Sequence, residues 1–466
     1  MSRVPRALIA LTALAAALRL PTLGSQSLWL DEVLTGRLAE GSLGDLLDRV
    51  ADQEANPPLF YLLEWAWTRV AGTSEVALRL PSALFGIALV PVAYAIGRRL
   101  AGERAATALA ALVAVHPLLV YYSQEARGYA AVALACAVGF LYFLATLKGE
   151  AGGVRWALAS AVALGCHYFA IFPIAIEAAI LLRRRGRAVV PALAGVAAAG
   201  AALLPLLIEQ LEGEHADNVT AGIGLAERGK GVATSWLVGE RGAAIDGLEW
   251  PAGALILAGV GVAAWRRERA AILPAVVAGG ALALILLAAV AGADYVNNRN
   301  TIAVLAIALA VPALGFARAR WLAVATCVVL LAATIGAQVD EDHHRENWRD
   351  VAGALELEQD AIVVVPAYNE IALRWYAPDY HPVRTARAND LAIVYSDLER
   401  NPPPSGALGA AAPTYTNIIP VRAGRLTATR WRKPIPGLLT KADLDAWART
   451  HLDPARGAGG VALLSR

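Results

Sequence analysis

Long apolar stretches alternate with short polar loops over the first 339 residues of the chain. A bilayer-spanning helix needs about 17–25 apolar residues. Nine stretches meet this requirement, near residues 7–23, 77–97, 105–122, 128–147, 188–208, 250–265, 270–291, 300–316 and 320–338. The stretch 155–182, with His167-Tyr168 at its middle, is interpreted as a hairpin of two short helices. The pattern therefore predicts eleven transmembrane helices.

Two shorter amphipathic segments lie in the loop that follows the first apolar stretch, at about residues 24–76. Residues 59–71 are apolar but too few to span a bilayer, and they include Glu64 and Arg69. A short helix with charged and apolar positions is typical of the membrane interface. We expect residues 59–71, and beside them residues 43–50, to form interfacial helices on the outer surface.

The pattern changes near residue 340. Helical periodicity alternates there with short β-branched runs, as expected for a small α/β domain. The predicted helices are 348–358 and 444–451, the predicted strands are 361–366, 391–395 and 461–464, and a proline loop lies at 402–404. The chain thus divides into a transmembrane domain at 1–339 and a C-terminal α/β domain at 340–466.

The loop charges predict an orientation. Lys and Arg concentrate in alternate loops, as in the cytoplasmic loops of membrane proteins. The intervening loops are acidic: residues 25–76 hold nine acids against three arginines, and residues 209–249 hold eight acids against three bases. We therefore expect a multi-pass plasma-membrane protein. Its acidic loops and C-terminal domain should lie on the extracytoplasmic side.

Composition agrees with a membrane protein and narrows its partners. Hydrophobic residues make up 57% of the chain and charged residues 17%, whereas soluble domains carry about 25% charged residues. The net charge is +2 with no basic block, so we expect no nucleic-acid partner. Cys136, Cys166 and Cys327 lie in apolar runs without metal-ligand spacing, which argues against disulfides and a zinc site.

Five polar features fall at the predicted outer boundary of the membrane. Ionisable groups beside hydrocarbon are costly and usually functional. The features are Asp31-Glu32, Asn56-Pro57-Pro58, the segment 121–129 with Gln124, Glu125, Arg127 and Tyr129, the pair His167-Tyr168, and the segment 294–299 with Arg299. Plainer interpretations stay open: solvated loop acids, a Glu125–Arg127 ion pair, a core histidine and an interfacial arginine anchor.

The order and spacing of these motifs resemble the GT-C glycosyltransferases, within them family 39, which includes protein O-mannosyltransferases and aminoarabinose transferases. The sequences that carry the resemblance are Trp29-Leu30-Asp31-Glu32, Asn56-Pro57-Pro58-Leu59-Phe60-Tyr61, residues 74–82, residues 97–100, residues 122–129 and His167-Tyr168-Phe169. The resemblance implies a polytopic GT-C fold. It also implies an enzyme that transfers a sugar from a polyprenyl-phosphate carrier to a lipid, glycan or protein acceptor on the outer face.

The resemblance also implies roles for single residues. Asp31 would be the catalytic base and Glu125 an assisting acid, with Glu32 orienting the acceptor or helping to hold a cation. A divalent cation on Asp31 and Glu125 is left open, because some GT-C enzymes use one. The expected substrate-binding residues are Asn56, Gln124, Arg127, Tyr129, His167, Tyr168 and Arg299. Relatives often have Arg-Tyr where this chain has Arg299-Asn300.

The donor that the resemblance implies favours one chemistry, and two rival functions are weighed against it. A carboxylate base and an activated sugar phosphate suit direct displacement, which inverts the anomeric carbon. A lipid-linked-sugar transporter or flippase would also need intramembrane charges, but here they gather at the boundary. A non-enzymatic membrane anchor would not need eleven spans with polar apices. The donor sugar (mannose, arabinose or a related sugar) is not specified by these motifs.

Overall fold

A computed structural model describes residues 4–212, 224–292, 295–354, 361–396, 416–423, 426–451 and 460–465. Asp294 and the predicted loop at 402–404 lie outside the described residues. The chain forms two compact units. The membrane unit comprises residues 1–23 and 37–339, and the C-terminal unit comprises residues 24–36 and 340–466. Residues 24–36, expected in the loop of the transmembrane domain, therefore fold with the C-terminal unit.

Helices dominate the membrane unit. They are α1 (Arg6–Arg19), α2 (Leu30–Glu40), α3 (Leu43–Gln53), α4 (Leu59–Ala71), α5 (Glu75–Ala101), α6 (Glu103–Val115), α7 (Pro117–Ser123), α8 (Tyr129–Leu147), α9 (Gly153–Cys166), α10 (Ile171–Arg185), α11 (Val190–Glu212), α12 (Leu225–Val238), α13 (Glu249–Trp265), α14 (Ile272–Val290), α15 (Asn298–Ala308), α16 (Ala310–Phe316) and α17 (Arg320–Val339). The second of them, α2, begins in the C-terminal unit and ends in the membrane unit.

All eleven predicted spans coincide with a helix or a helix pair. Within the described residues, six helical runs are long and apolar enough to cross a membrane, or seven if the bent pair α6–α7 counts as one span. One of the six, Tyr168–Glu212, contains both α10 and α11; its 45 residues would extend about 67 Å, twice the roughly 30 Å hydrocarbon core. The chain is a multi-pass membrane protein, and the count of eleven stays a prediction.

A proline creates the bend between α6 and α7. Pro117 occupies the first position of α7, where its missing N–H costs no helical hydrogen bond. His116 before it is extended rather than helical, as expected for a residue preceding proline. The two helices meet at 57°, and α7 ends at Ser123. The bend therefore fixes where the polar segment 124–128 begins.

The two predicted amphipathic helices are present in the structure. The fourth helix covers Leu59–Ala71, the range predicted from the sequence, and begins directly after Pro57-Pro58. The third helix begins at a capping box, in which Ser42 accepts from the Asp45 N–H and the Asp45 carboxylate accepts from the Ser42 N–H. The Ser42 hydroxyl also donates to the Asp45 carboxylate, at 2.7 Å, and this bond together with that from the Ser42 N–H lowers the pKa of Asp45. Local sequence signals thus determine both helices.

The C-terminal unit contains a six-stranded mixed sheet among its described residues. The strands are β1 (Ala361–Val365), β2 (His381–Pro382), β3 (Thr385–Ser396), β4 (Thr416–Ala423), β5 (Leu426–Thr440) and β6 (Ala462–Ser465), in the spatial order β2-β6-β1-β3-β5-β4. Only β1 and β3 are parallel, with Ala361 opposite Leu391. The helices are α18 (Trp348–Ala354), α19 (Glu370–Tyr376) and α20 (Lys441–His451).

Burial explains which strands could be predicted from the sequence. All five residues of β1 are buried, so that strand is a continuous apolar run, as expected at the centre of a sheet. The hairpin β4–β5 carries polar and proline positions and was not predicted. The predicted α/β character of the tail and the mainly helical character of the membrane unit are both confirmed.

Candidate active site

The segment leading to Asp31 is held inside the C-terminal unit. The Ser27 hydroxyl donates to the Glu346 carbonyl and accepts from the Trp348 N–H, both at 2.9 Å. The Leu28 N–H donates to the Tyr376 hydroxyl at 2.7 Å. Ser27 is fully buried, so these bonds form away from water. They fix the backbone immediately before the two acids.

The two acids occupy the first turn of α2. Asp31 is partly exposed, whereas Glu32 is fully buried. The Trp29 N–H donates to the Glu32 carboxylate at 3.4 Å, which places that side chain back over the helix start. Acids in the first turn also interact favourably with the helix dipole. Of the pair, Asp31 is the acid that a substrate can reach.

A buried ion pair anchors the next part of the loop in the membrane unit. Both nitrogens of the Arg127 guanidinium donate to the Glu54 carboxylate, at 2.7 and 2.9 Å. The Tyr61 hydroxyl donates to the same carboxylate at 2.7 Å. Burial raises the pKa of the Tyr61 phenol well above its usual range, so it remains a donor. Arg127 therefore forms an ion pair with Glu54, a residue that the sequence analysis did not select.

A row of aromatic rings connects this ion pair to the end of α7. Tyr129 opens α8, and its ring lies 4.9 Å from that of Tyr122 and 5.8 Å from that of His167. Arg127 lies within electrostatic range of His167. The His167 ring is 6% exposed, and its Nδ1 accepts from the Phe169 N–H at 3.2 Å. Three predicted site residues, Arg127, Tyr129 and His167, are therefore brought together.

A second polar cluster forms around Glu240, in the turn after α12. Its carboxylate accepts from the Tyr122 hydroxyl at 2.7 Å and from the Asn298 side chain. Burial raises the pKa of Glu240, while the Tyr122 hydrogen bond and the charge of Arg299 oppose that rise. Glu125 and Arg299 both lie within electrostatic range of Tyr122. Sequence reasoning missed Glu240, because it stands in an acidic loop without a motif.

A glutamine on α11 connects two further predicted residues. The Tyr168 hydroxyl donates to the Gln210 side-chain oxygen at 2.8 Å. The Gln210 amide donates in turn to the carbonyls of Val50 and Asn56, at 2.9 and 3.1 Å. Gln210 is 6% exposed, so its hydrogen bonds fix the loop before α4. No motif marks Gln210, which follows the apolar stretch 188–208.

Gln124 serves helix packing in this structure. Its amide nitrogen donates to the Arg19 carbonyl at 3.0 Å and to the Thr22 hydroxyl at 2.6 Å. Its oxygen accepts from the Gln338 amide at 3.3 Å. Both polar ends of the side chain thus bind protein groups. A role of Gln124 in substrate binding stays a prediction.

The remaining predicted acid, Glu125, lies between α7 and α8. It is 1% exposed, and its backbone carbonyl accepts from the Arg127 N–H at 2.8 Å. Its carboxylate belongs to the electrostatic surroundings of Tyr122. Glu125 and Arg299, far apart in sequence, therefore both lie within electrostatic range of Tyr122.

One more acid is buried in α4 without taking part in these clusters. Glu64 is fully buried, and within the described part of the chain neither carboxylate oxygen has a hydrogen-bond partner. Burial raises the pKa of Glu64 to about 9. The side chain is therefore neutral at pH 7.

The cation that the sequence analysis left open would have Asp31 and Glu125 as its ligands. Among the described residues, no group of three His, Cys, Asp or Glu side chains lies close enough to hold an ion. Asp31 and Glu125, the expected cation ligands, belong to different units. A divalent cation stays a prediction, and no step proposed below depends on it.

Comparisons with known proteins identify the fold. A family model described as dolichyl-phosphate-mannose-protein mannosyltransferase matches residues 55–208, and no curated protein matches the chain. The crystal structure of ArnT from Cupriavidus metallidurans in the apo state matches with a TM-score of 0.58 at 12% identity, covering 91% of this chain and 97% of that one. The chain has the GT-C fold. The resemblance inferred from its motifs is confirmed.

Two further GT-C structures match. ArnT from Cupriavidus metallidurans bound to undecaprenyl phosphate gives a TM-score of 0.56 at 15% identity, again covering 91% of this chain and 97% of that one. The Archaeoglobus fulgidus oligosaccharyltransferase tethered with an acceptor peptide gives 0.49 at 15% identity, covering 76% and 57%. The first likeness extends over both units of this GT-C chain, whereas the second is too weak to carry an argument.

Proposed function

We propose that this protein is a membrane glycosyltransferase that moves a sugar from a polyprenyl-phosphate carrier to a cell-envelope acceptor on the extracytoplasmic side. The acceptor is a lipid, glycan or protein, and the donor sugar is mannose, arabinose or a related sugar. One observation supports this most directly: the likeness to ArnT, seen also with undecaprenyl phosphate bound, spans 91% of the chain. The predicted acids and arginines lie at the ends of the helices of that fold.

In the proposed reaction Asp31 is the base. The acceptor hydroxyl attacks the anomeric carbon as Asp31 takes its proton, and the bond between that carbon and the phosphate oxygen breaks. The products are the glycosylated acceptor and the carrier phosphate, with the anomeric carbon inverted. Partial exposure of Asp31 suits a group that must meet the acceptor. Burial of Glu32 suits a residue that supports the turn of α2.

The leaving phosphate gathers negative charge, which a nearby guanidinium stabilises by charge-assisted hydrogen bonds. Of the two predicted arginines, Arg127 is already paired with the Glu54 carboxylate. Arg299 lies at the start of α15, in the electrostatic surroundings of Glu240 and Tyr122. We therefore assign the phosphate to Arg299, with Tyr129, His167 and Tyr168 beside the sugar.

Asp31→Asn tests the base assignment. In membrane extracts supplied with a panel of radiolabelled polyprenyl-phosphate sugars, wild type should glycosylate an acceptor. The variant should lose about a thousandfold or more of that activity, because general-base catalysis of this kind contributes about 10²–10⁴-fold. Undecaprenyl phosphate binding should remain near normal in the variant. Near-normal turnover would overturn the role of Asp31.

Arg299→Ala tests the phosphate assignment with the same binding assay. Loss of one charge-assisted contact should weaken undecaprenyl phosphate binding roughly tenfold, equivalent to about 1.4 kcal/mol. Arg104→Gln, which removes an exposed arginine in the first turn of α6, is the matched control. Equal affinities of Arg299→Ala and wild type would remove Arg299 from the phosphate site.

A further inference from the structure

An apolar groove of about 530 Å³ runs along the surface of the membrane unit, and one end of it, at Phe60 and Cys166, adjoins Tyr61 and His167 of the polar cluster described above. Helices α8 and α9 form its floor and α4 closes one end. Leu59, Leu63, Leu158 and Val162 line it and are 37–63% exposed, so the groove opens on the surface of the helix bundle. In a membrane this opening faces lipid.

The length of the groove matches one leaflet. Its lining residues on α8 extend from Ala131 to Tyr142, and eleven residues of helix rise about 16 Å. Half of the roughly 30 Å hydrocarbon core is about 15 Å. An acyl chain of a membrane lipid fits this length, whereas a polyprenyl chain is several times longer. The size of the groove therefore favours a phospholipid over the sugar carrier.

A positive charge marks one end of the groove. Arg155, at the start of α9, lines it and lies over the Tyr142 ring with its guanidinium carbon 5.6 Å from the ring centre. Arg155 is exposed and, among the described residues, pairs with no carboxylate. The acid of the adjoining loop, Glu150, is already bound to Arg99 at 2.7 Å. An anionic headgroup could replace the aromatic contact of Arg155 without breaking an ion pair.

We propose that this groove is a binding site for one anionic phospholipid. One acyl chain lies between α8 and α9, and the lipid phosphate binds the Arg155 guanidinium. Arginine holds phosphate by two parallel hydrogen bonds, and basic sites between membrane helices recognise anionic headgroups. The Arg185 guanidinium lies next to Gly149: a Cβ added to that glycine would be 3.2 Å from it. A second positive charge therefore lies close to the loop between α8 and α9. The site is independent of the transfer reaction proposed above.

Native mass spectrometry of the full-length protein in detergent tests this site. The protein is incubated with equal amounts of phosphatidylglycerol and phosphatidylcholine, and the retained lipid is identified. Wild type should keep one phosphatidylglycerol with at least a fivefold preference. Arg155→Gln should abolish that preference, while Arg104→Gln, which changes another exposed arginine in the first turn of α6, should retain it.

A pair of tryptophan variants on α9 tests the acyl-chain position. Val162 lines the groove and is 46% exposed, whereas Val154 lies outside the lining and is 72% exposed. Val162→Trp should fill the groove and lower lipid retention at least fivefold, and Val154→Trp should leave it unchanged. Equal retention in both variants would overturn the site. If Val162→Trp unfolds, Arg155→Gln, a change at an exposed side chain, still decides the outcome.

Undecaprenyl phosphate provides the competing occupant. If it displaced phosphatidylglycerol from wild type at equal concentration, the groove would belong to the carrier and the phospholipid proposal would be wrong. Retention of phosphatidylglycerol in its presence supports the proposal. Neither result depends on catalytic activity, so a failure here is distinct from a failure of the proposed transferase.

Discussion

The two halves of the 24–76 loop are secured in different units of the molecule. Residues 24–36 fold within the C-terminal unit, where Ser27 and Leu28 bind backbone and side-chain groups of that unit. Residues 43–71 fold within the membrane unit, where Glu54 binds Arg127. The chain passes from one unit to the other within α2.

The two halves also differ in the kind of interaction that secures them. The first half uses neutral hydrogen bonds to a buried hydroxyl and a phenol, each worth about 0.5–1.5 kcal/mol net. The second half uses a bidentate ion pair whose side chains are 7% and 4% exposed. Removing one partner of such a pair costs far more, because a charge is left buried. We infer that the second half is the more rigidly fixed, and that the segment carrying Asp31 depends on weaker bonds.

The largest test of this difference is Glu54→Ala. It leaves Arg127 without its carboxylate and should lower the free energy of unfolding by about 3–5 kcal/mol, measured by chemical unfolding in detergent micelles. Asp52→Ala, which removes an exposed acid on the same helix, should change it by less than about 0.5 kcal/mol. An unchanged unfolding energy in Glu54→Ala would show that the ion pair does not hold the second half.

The next largest effect is expected from the buried acid Glu64, in the pH dependence of the free energy of unfolding. Its folded pKa of about 9 lies above the ordinary value of 4.5, so unfolding releases a proton between these values and stability falls as pH rises. From pH 5 to pH 7 the loss should be about 2–3 kcal/mol. Glu64→Gln should abolish this pH dependence. Its free energy of unfolding should equal that of wild type near pH 4.

Asp48→Asn is the control for that titration, because Asp48 is an exposed acid on α3. Its unfolding energy should follow the same pH dependence as wild type. A Glu64→Gln variant that keeps the wild-type slope would show that Glu64 is charged in the folded protein. The second half of the loop would then contain a partner for it.

The smallest effect is expected from Ser27→Ala in the first half. The variant leaves the Trp348 N–H and the Glu346 carbonyl without their partner and should cost about 1–3 kcal/mol. Hydrogen exchange of the Leu28 and Trp348 amides should become faster. Ser42→Ala removes the capping box of α3 in the second half and should leave exchange at residues 24–28 unchanged. Faster exchange there in Ser42→Ala would contradict the separate anchoring of the two halves.

Local signals explain what could be predicted about the fold. Apolar length located every helix of the eleven-span prediction, and the Pro57-Pro58 break together with the short apolar run located α4. The bend before Pro117 could have been inferred from the missing N–H of proline, although the sequence analysis treated 105–122 as one span. The hairpin β4–β5 was not predicted, because both strands carry polar and proline positions, and β4 lies at the edge of the sheet, where such positions are common.

The site residues also divide into those that local sequence signals indicated and those that only the structure revealed. Charged motifs beside apolar segments indicated Asp31, Glu125, Arg127 and Arg299. Their partners Glu54, Gln210 and Glu240 lie in loops or apolar runs that have no motif, and they meet the predicted residues across long sequence separations. Pairing of this kind depends on which helices pack together.

By itself, the sequence determined the membrane class, the helix positions, the α/β tail and the family resemblance, because hydrophobic periodicity and turn residues act locally. Only the tertiary structure decided that Arg127 pairs with Glu54, that Tyr122 and Arg299 meet at Glu240, and that residues 24–36 fold with the tail. Those contacts arise because burial forces polar groups to find partners wherever packing brings them. The partner of a buried charge is therefore set by the fold and not by its neighbours along the chain.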